Sequence, residues 1–246
     1  MEGRELTRRE WFRLSGAAGA AGMFGGPLHA GESLVPAMSA VDHLLLGIGD
    51  LDRGIAWVKT RSGVKAVVGG SHPGGGTRNA LLSLGGRRYL EILAPDPAQS
   101  AYNFPIDVRK LIEPRLITWA AGTTDIEATA KRARQSRYET FGPRAGSRTR
   151  PDGKVLEWKI LGVPNKLGRD GVEPIPFFIE WAAGSLHPSE DSPKGCELQS
   201  LEIHHPDPVA VTEMLKKLGI EADVKQAERA QLRAGLAAPK GAVVLS

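Results

Sequence analysis

The chain has 246 residues, 41% of them hydrophobic, which is enough for one large or two small folded units and too apolar for disorder throughout. Its 32 basic and 28 acidic residues leave a net charge of only +4, and the arginines are scattered rather than striped between aromatics, so nothing favours nucleic-acid binding. Cys196 is the single cysteine, which excludes an internal disulfide and a thiolate metal cluster.

In chain order, the first segment is TRREWFRLSGAAGAAGMFGG: paired Arg8 and Arg9, then Trp11 and Phe12, then a small-residue, weakly apolar run. It resembles a bacterial twin-arginine export signal and is too short and glycine-rich to span a bilayer. Residues 1–37 are therefore expected to be signal and spacer, with a mature start between Gly31 and Met38. Export machinery is then a partner, and the location is periplasmic or secreted.

VDHLLLGIGDLDRGIAWVK predicts a strand, an N-cap at Asp50 and a helix whose apolar stripe is Leu51, Ile55 and Val58. VKAVVGG, the turn SHPGGG, TRNALLSLG, a tight turn at Gly85-Gly86 and RRYLEILAP add three more strands. Residues 95–114, with four prolines, read as a linker. PRLITWAAGTTDIEATAKRAR then repeats the opening: a strand, a cap at Thr124 or Asp125, and a stripe of Ile126, Ala130 and Ala133. Aligning Asp50 with Asp125 gives an offset of 75 (125 − 50) and sets His43 opposite Thr118. A long arginine-rich connection, the turn Pro151-Asp152-Gly153, KVLEWKILG and PFFIEWAAG complete a second strand-helix-strand-strand-strand unit. From about 197 onward, LQSLEIHH, a cap at Asp207-Pro208, the helix VAVTEMLKKLG and short strands suggest an appended subdomain.

Side chains alternate along a strand, so His43 shares a face with Leu45 and Gly47 and opposes Leu44 and Leu46. YLEIL sets Glu91 beside Tyr89 and Leu93, and FFIEW sets Glu180 beside Phe178 and Ala182. A carboxylate in a strand apolar on both faces costs several kcal/mol unless a cation or a hydrogen-bond cluster compensates it. Two of them with a histidine point to one shared polar site in a curved sheet.

VDHLLLGIGDLD, SHPGGGTRNALLSLGGRRYLEILAPDP, SRTRPDGKVLEWKI and PIPFFIEWAAGSLHP together resemble the glyoxalase-like proteins of the vicinal oxygen chelate superfamily. The resemblance implies an α+β fold: two βαβββ modules, at about 40–95 and 114–184 within a domain of 38–190, forming an eight-stranded open cup. Residues 191–246 form a small C-terminal α/β extension packed on it. It also implies a divalent metal, zinc, manganese, iron, nickel or cobalt, held by the first and last strand of each module. Those positions are His43, Glu91, Thr118 and Glu180, of which Thr118 departs from the usual ligand types. Glu180, with Glu91 in reserve, is the implied catalytic base, and the substrate is a small oxygen-bearing molecule.

His72 is expected at the cup mouth, and Arg148 and Arg150, with Arg144, lie in a loop placed to bind a substrate carboxylate. SHPGGGT leads into a strand, which removes a phosphate loop from consideration. Adjacent His204 and His205 face opposite ways, His187 is a turn residue, and Trp57, Trp119, Trp158 and Trp181 are explained by packing. The expected function is a metal-dependent isomerase or lyase. The alternative is a protein that binds or sequesters a small molecule without turnover.

Overall fold

In the computed structural model, which describes residues 33–149 and 153–246, the first module follows the predicted order. After β1 (Val35–Pro36) and the short α1 (Ala37–Ala40) come β2 (Val41–Gly47), α2 (Leu51–Ser62), β3 (Val67–His72), β4 (Thr77–Ser83) and β5 (Tyr89–Pro95). The second module has β6 (Arg115–Gly122), α3 (Ile126–Gln135), β7 (Phe141–Thr149), β8 (Val155–Gly162) and β9 (Phe177–Trp181). The short α4 (Pro188–Asp191) leads to β10 (Glu197–His205), α5 (Pro208–Lys217), β11 (Ile220–Glu221), β12 (Val224–Gln226), β13 (Gln231–Ala238) and β14 (Gly241–Leu245). The twin-arginine motif and Arg150 lie outside the described residues. Among the described residues no helix is long and apolar enough to cross a membrane.

The two modules form one eight-stranded sheet in the order β3-β4-β5-β2-β6-β9-β8-β7. At its centre β2 and β6 run antiparallel, with His43 opposite Ala120 and Leu45 opposite Thr118. Shifting either pair by the 75-residue offset produces the other, so the duplication read from the two capping aspartates is a pseudo-twofold axis through the sheet. Both caps form: Asp50 accepts from Arg53 N at 2.9 Å and Asp125 from Ala128 N at 2.8 Å. Asp207 does the same for α5, accepting from Ala210 N at 3.0 Å.

One face of the sheet buries Leu44, Leu46, Leu90 and Ile92 against Leu51, Ile55 and Val58 of α2, and α3 contributes Ile126, Ala130 and Ala133, the predicted stripes. The C-terminal sheet, ordered β12-β10-β13-β14, joins the same core through Leu232, Leu236, Val243 and Leu245. Its elements follow one another as in a module, but β10 lies beside β12, whereas each module's first strand lies beside its last.

The other face is the cup. Leu45, Leu93 and Ile117 line it, and the linker lays Tyr102, Phe104, Ile106 and Val108 across it. The linker is tied to the turn between β3 and β4: Asn103 donates to the Gly74 and Gly75 carbonyls at 2.7 and 3.1 Å, and Gly74 N donates to Gln99 Oε1 at 2.9 Å. Gly76, at φ +74°, lies against this crossing, where a methyl carbon would come within 2.7 Å of Tyr102 Cα.

The segment 141–149, expected as an arginine-rich loop, is the edge strand β7 paired with β8. It shows no apolar alternation because an edge strand tolerates proline, glycine and charge. Arg144 and Arg148 therefore sit on a strand. The edges β3 and β7 approach each other, and Arg148 Nη1 crosses between them to donate to Asn79 Oδ1 at 3.1 Å. Gly69 makes room, since a Cβ there would meet Arg148 Nη1 at 2.6 Å.

Candidate functional site

Glu91, on β5, is the centre of the cup's polar end, and its strand brings it opposite Leu45 of β2. Asn79 of β4 donates to Oε1 at 2.6 Å. Around the carboxylate stand two imidazoles, His72 with Nε2 at 3.4 Å from Oε1 and His43 with Nε2 at 3.5 Å from Oε2. Burial by itself would raise the Glu91 carboxyl. The imidazoles of His72 and His43 in their charged forms, the Asn79 amide and the Arg148 guanidinium outweigh it and hold the group below its ordinary value.

The hydrogen-bond partners fix both imidazoles. Arg148 only donates, so Asn79 presents Oδ1 to it and turns Nδ2 towards Glu91 and towards His72 Nε2, 3.2 Å away. His72 Nε2 is then an acceptor, and Nδ1–H donates to Thr77 Oγ1 at 2.8 Å. His43 Nδ1 lies 2.7 Å from Asp42 Oδ1, and an ionised carboxylate only accepts, so a proton sits on His43 Nδ1. His72 Nε2 and, in the neutral ring, His43 Nε2 thus face the Glu91 carboxylate without a proton.

His43 is sandwiched rather than free. Tyr89 stacks on it with ring centroids 4.5 Å apart, and Phe177 meets it edge-on at 5.5 Å. Burial raises the Tyr89 hydroxyl well above its ordinary value, and the charges of Asp42 and Glu91 add to that, which keeps it neutral. His72 stands at the rim, its side chain 28% exposed against 3% for His43 and 7% for Glu91. Burial pushes its imidazole down, Glu91 pulls the other way, and Arg148 and His43 reinforce the downward shift. At neutral pH it is an unprotonated base.

Asp42 completes the interior. Its Oδ2 accepts from Trp181 Nε1 at 3.0 Å and from His187 Nε2 at 3.1 Å. Burial alone would raise this carboxyl, but hydrogen bonds from His187 and His43 hold it well below the usual carboxylate range.

Of the residues proposed from sequence, His43, Glu91, His72 and Arg148 meet at this point, with Arg148 reaching Glu91 through Asn79. Thr118 is buried opposite Leu45. Glu180 is elsewhere: its Oε2 accepts from Ile126 N at 2.7 Å, at the start of α3 on the other face. The register explains this. Leu45 pairs with Glu91, Ala120 pairs with Phe177, and the offset relates Leu45 to Ala120, so the counterpart of Glu91 is Phe177. Glu180 is three residues further, and an odd step along a strand changes faces.

The roles of Asp42, Asn79, Trp181 and His187 escape a reading of the sequence. Asp42 precedes His43 on the strand and reads as belonging to the opposite face, but a bulge in the pairing with β6 at Val41/His43 lets both side chains meet. His187 does begin a short helix, accepting from Ser189 N, but its ring is buried and turned onto Asp42. No local sequence signal separates these roles from ordinary turn and core positions.

A family described as "Glyoxalase-like domain" matches residues 41–219, nearly all of both modules and the start of the extension. The chain belongs to the glyoxalase-like domain family. A crystal structure of a hypothetical protein from Staphylococcus aureus superposes on this glyoxalase-like chain with a TM-score of 0.60 and 17% identity, covering 78% of this chain and 87% of the other. Methylmalonyl-CoA epimerase from Mycobacterium tuberculosis gives 0.41 at 21% identity over 62% and 93% of the two chains. A variant of the Streptomyces coelicolor methylmalonyl-CoA epimerase, in complex with 2-nitronate-propionyl-CoA, gives 0.44 at 22% over 63% and 99%. None of the curated proteins matches this sequence.

The resemblance to the vicinal oxygen chelate superfamily implies a divalent metal in the cup. The donor set of this cup does not fit the four-position site. His43 and Glu91 occupy two positions, while the second module supplies the hydroxyl of Thr118 and the phenyl ring of Phe177. His72 and His43 attend different oxygens of Glu91, and among the described residues no three His, Cys, Asp or Glu side chains are arranged to hold one ion.

Proposed function

We propose that this protein is an enzyme of the vicinal oxygen chelate type that transfers a proton on a small oxygen-bearing molecule, in isomerase- or lyase-type chemistry. One observation carries the reading: a carboxylate buried between two imidazoles whose Nε2 atoms face it, with one of the two at the rim of the cup. In this scheme His72 Nε2 gives up the Asn79 N–H and takes a proton from the substrate, and the Nε2–H of the imidazolium so formed is stabilised by the charge of Glu91. Asn79 holds Glu91 Oε1 in place, and Arg148 holds Asn79. Return of the proton to another atom completes an isomerisation, and loss of a neighbouring leaving group completes an elimination. The apolar wall of Leu45, Ile117, Phe104 and Phe177 suits a carbon skeleton beside the polar end.

The test is deuterium uptake from D2O by a panel of dicarbonyl compounds and hydroxy acids. The expected result is exchange at one carbon position, with Glu91→Gln and His72→Gln each slowing it by about 10²–10⁴-fold, the usual weight of a positioned acid or base. Exchange that survives both substitutions overturns the reading. Full metal occupancy, with activity lost on chelation, replaces it with the metal-dependent form that the family suggests.

A second reading, binding without turnover, is favoured by Thr118 and Phe177, a hydroxyl and a phenyl ring at the second module's counterparts of His43 and Glu91. It predicts that a panel compound binds to the wild type and Glu91→Gln alike and exchanges in neither. The twin-arginine motif supports a periplasmic or secreted setting for either activity, and detection of the chain only in the cytoplasm of its host would refute that.

A further inference from the structure

We propose that Asp42, held in place by Trp181 and His187, is a positioning residue that keeps a proton on Nδ1 of His43 and so leaves Nε2 of the neutral ring bare towards Glu91. The proposal rests on the reading of this cluster as the site, and it assigns a role to residues that no motif marked.

Asp42 is a junction of three donors. Oδ1 takes Nδ1–H of His43 at 2.7 Å, and Oδ2 takes Nε1–H of Trp181 at 3.0 Å and the Nε2 side of His187 at 3.1 Å. His187 is committed to that orientation, because Ser189 N donates to its Nδ1 at 3.3 Å, which leaves the proton on Nε2. His187 is fully buried, and Trp181 and Tyr89 close on its ring edge-on at 5.2 and 5.5 Å, so the ring cannot turn over without displacing both. Two of the groups come from beyond the first module: Trp181 ends β9, and His187 starts α4. The end of the second module thus holds the carboxylate that meets the histidine of the first.

The consequence is a directed tautomer. A neutral imidazole has one proton, and the carboxylate on the Nδ1 side claims it. Nε2 is left bare towards Glu91 Oε2 at 3.5 Å, two acceptors in apposition. A proton delivered to Glu91 or His72 therefore has an adjacent acceptor, which an Nε2–H tautomer would remove.

The substitution Asp42→Asn makes this testable in a sharp form. Trp181 and His187 both donate, so the amide oxygen must take the Oδ2 place, and the NH2 group is forced onto His43 Nδ1. That nitrogen must then accept, and the proton moves to Nε2.

The measurement is the two-bond ¹H–¹⁵N spectrum of imidazole-labelled protein without substrate, with His43 assigned from His43→Gln. The wild type should show Nδ1–H at His43 in about tenfold excess or more, the preference that a hydrogen bond to a carboxylate supports. Asp42→Asn should invert the ratio. Adding Trp181→Phe and His187→Leu to Asp42→Asn should restore Nδ1–H, because the amide is then free to turn. A wild-type spectrum with Nε2–H at His43 overturns the proposal by itself. So does Asp42→Asn with Nδ1–H retained. The readout needs no turnover, so absence of exchange activity with the expected tautomers would remove the proton-transfer reading and leave the positioning device standing.

Discussion

Glu91 is 6% exposed and charged, a state that costs several kcal/mol when uncompensated. Here the Asn79 amide, the Arg148 guanidinium and, when charged, the two imidazoles supply the compensation. Truncating it would leave the imidazoles facing a void, and Glu91→Gln is the cleaner probe because it keeps the shape and removes the charge. Glu180 offers the contrast. Its carboxylate accepts from the first backbone N–H of α3, so Glu180→Gln is expected to lower stability by about 0.3–1 kcal/mol and leave deuterium exchange at the wild-type rate. Thermal melting beside the exchange assay checks both halves. The strand pattern of VDHLLLG is enough to single out His43, because an imidazole amid doubly apolar neighbours demands a partner. Asn79 is not legible, since an asparagine shortly after a glycine-rich turn looks like turn chemistry until β4 is laid beside β5. Glu180 is misplaced by the sequence because YLEIL and FFIEW are alike as short strings, whereas equivalence in a sheet is set by pairing.

The helices are the most legible elements, because caps and stripes are local. Asp50 and Asp125 sit at equivalent helix starts and each accept a backbone N–H three residues on. Asp50→Ala and Asp125→Ala should each cost about 1 kcal/mol in denaturant unfolding, roughly additively because they cap different helices. The strand β7 is the least legible, because its order comes from pairing with β8 and from the meeting of sheet edges, neither of which leaves a periodic mark in FGPRAGSRT. Its reading as a loop still left Arg148 among the site candidates. The reason for its presence differs from the one expected, since the guanidinium reaches the carboxylate through an amide.

For the molecule as a whole, the offset of 75 residues predicts the central strand pair, but not that chemistry is confined to one half. Phe177 in place of a second carboxylate makes the cup polar at one end and apolar at the other. Global stability should also carry a pH signature from Glu173, in the segment before β9. Burial raises its carboxyl from the ordinary 4.5 to about 7, although Ile175 N and Asn165 donate to it at 3.0 and 3.3 Å. A raised carboxyl favours the folded state below the unfolded value of 4.5 and loses that contribution as pH rises through about 7. The loss is at most about 3 kcal/mol, the product of the shift and the energy of one pKa unit. Glu173→Gln should therefore melt close to the wild type at pH 5 and distinctly above it at pH 8, and equal differences at the two pH values would remove the assignment.

The ties between the linker and the glycine turn couple access to reactivity. Any swing of residues 96–103 away from the cup pulls on Gly74 and Gly75, and with them on the rim imidazole just before them in the hairpin. On the proposed reading, widening the entrance would draw the His72 imidazole away with the turn, so that admission and proton transfer would call on different positions of the hairpin. The amides of Gly74 and Asn103, both held by these ties, should then exchange with solvent at a single shared rate.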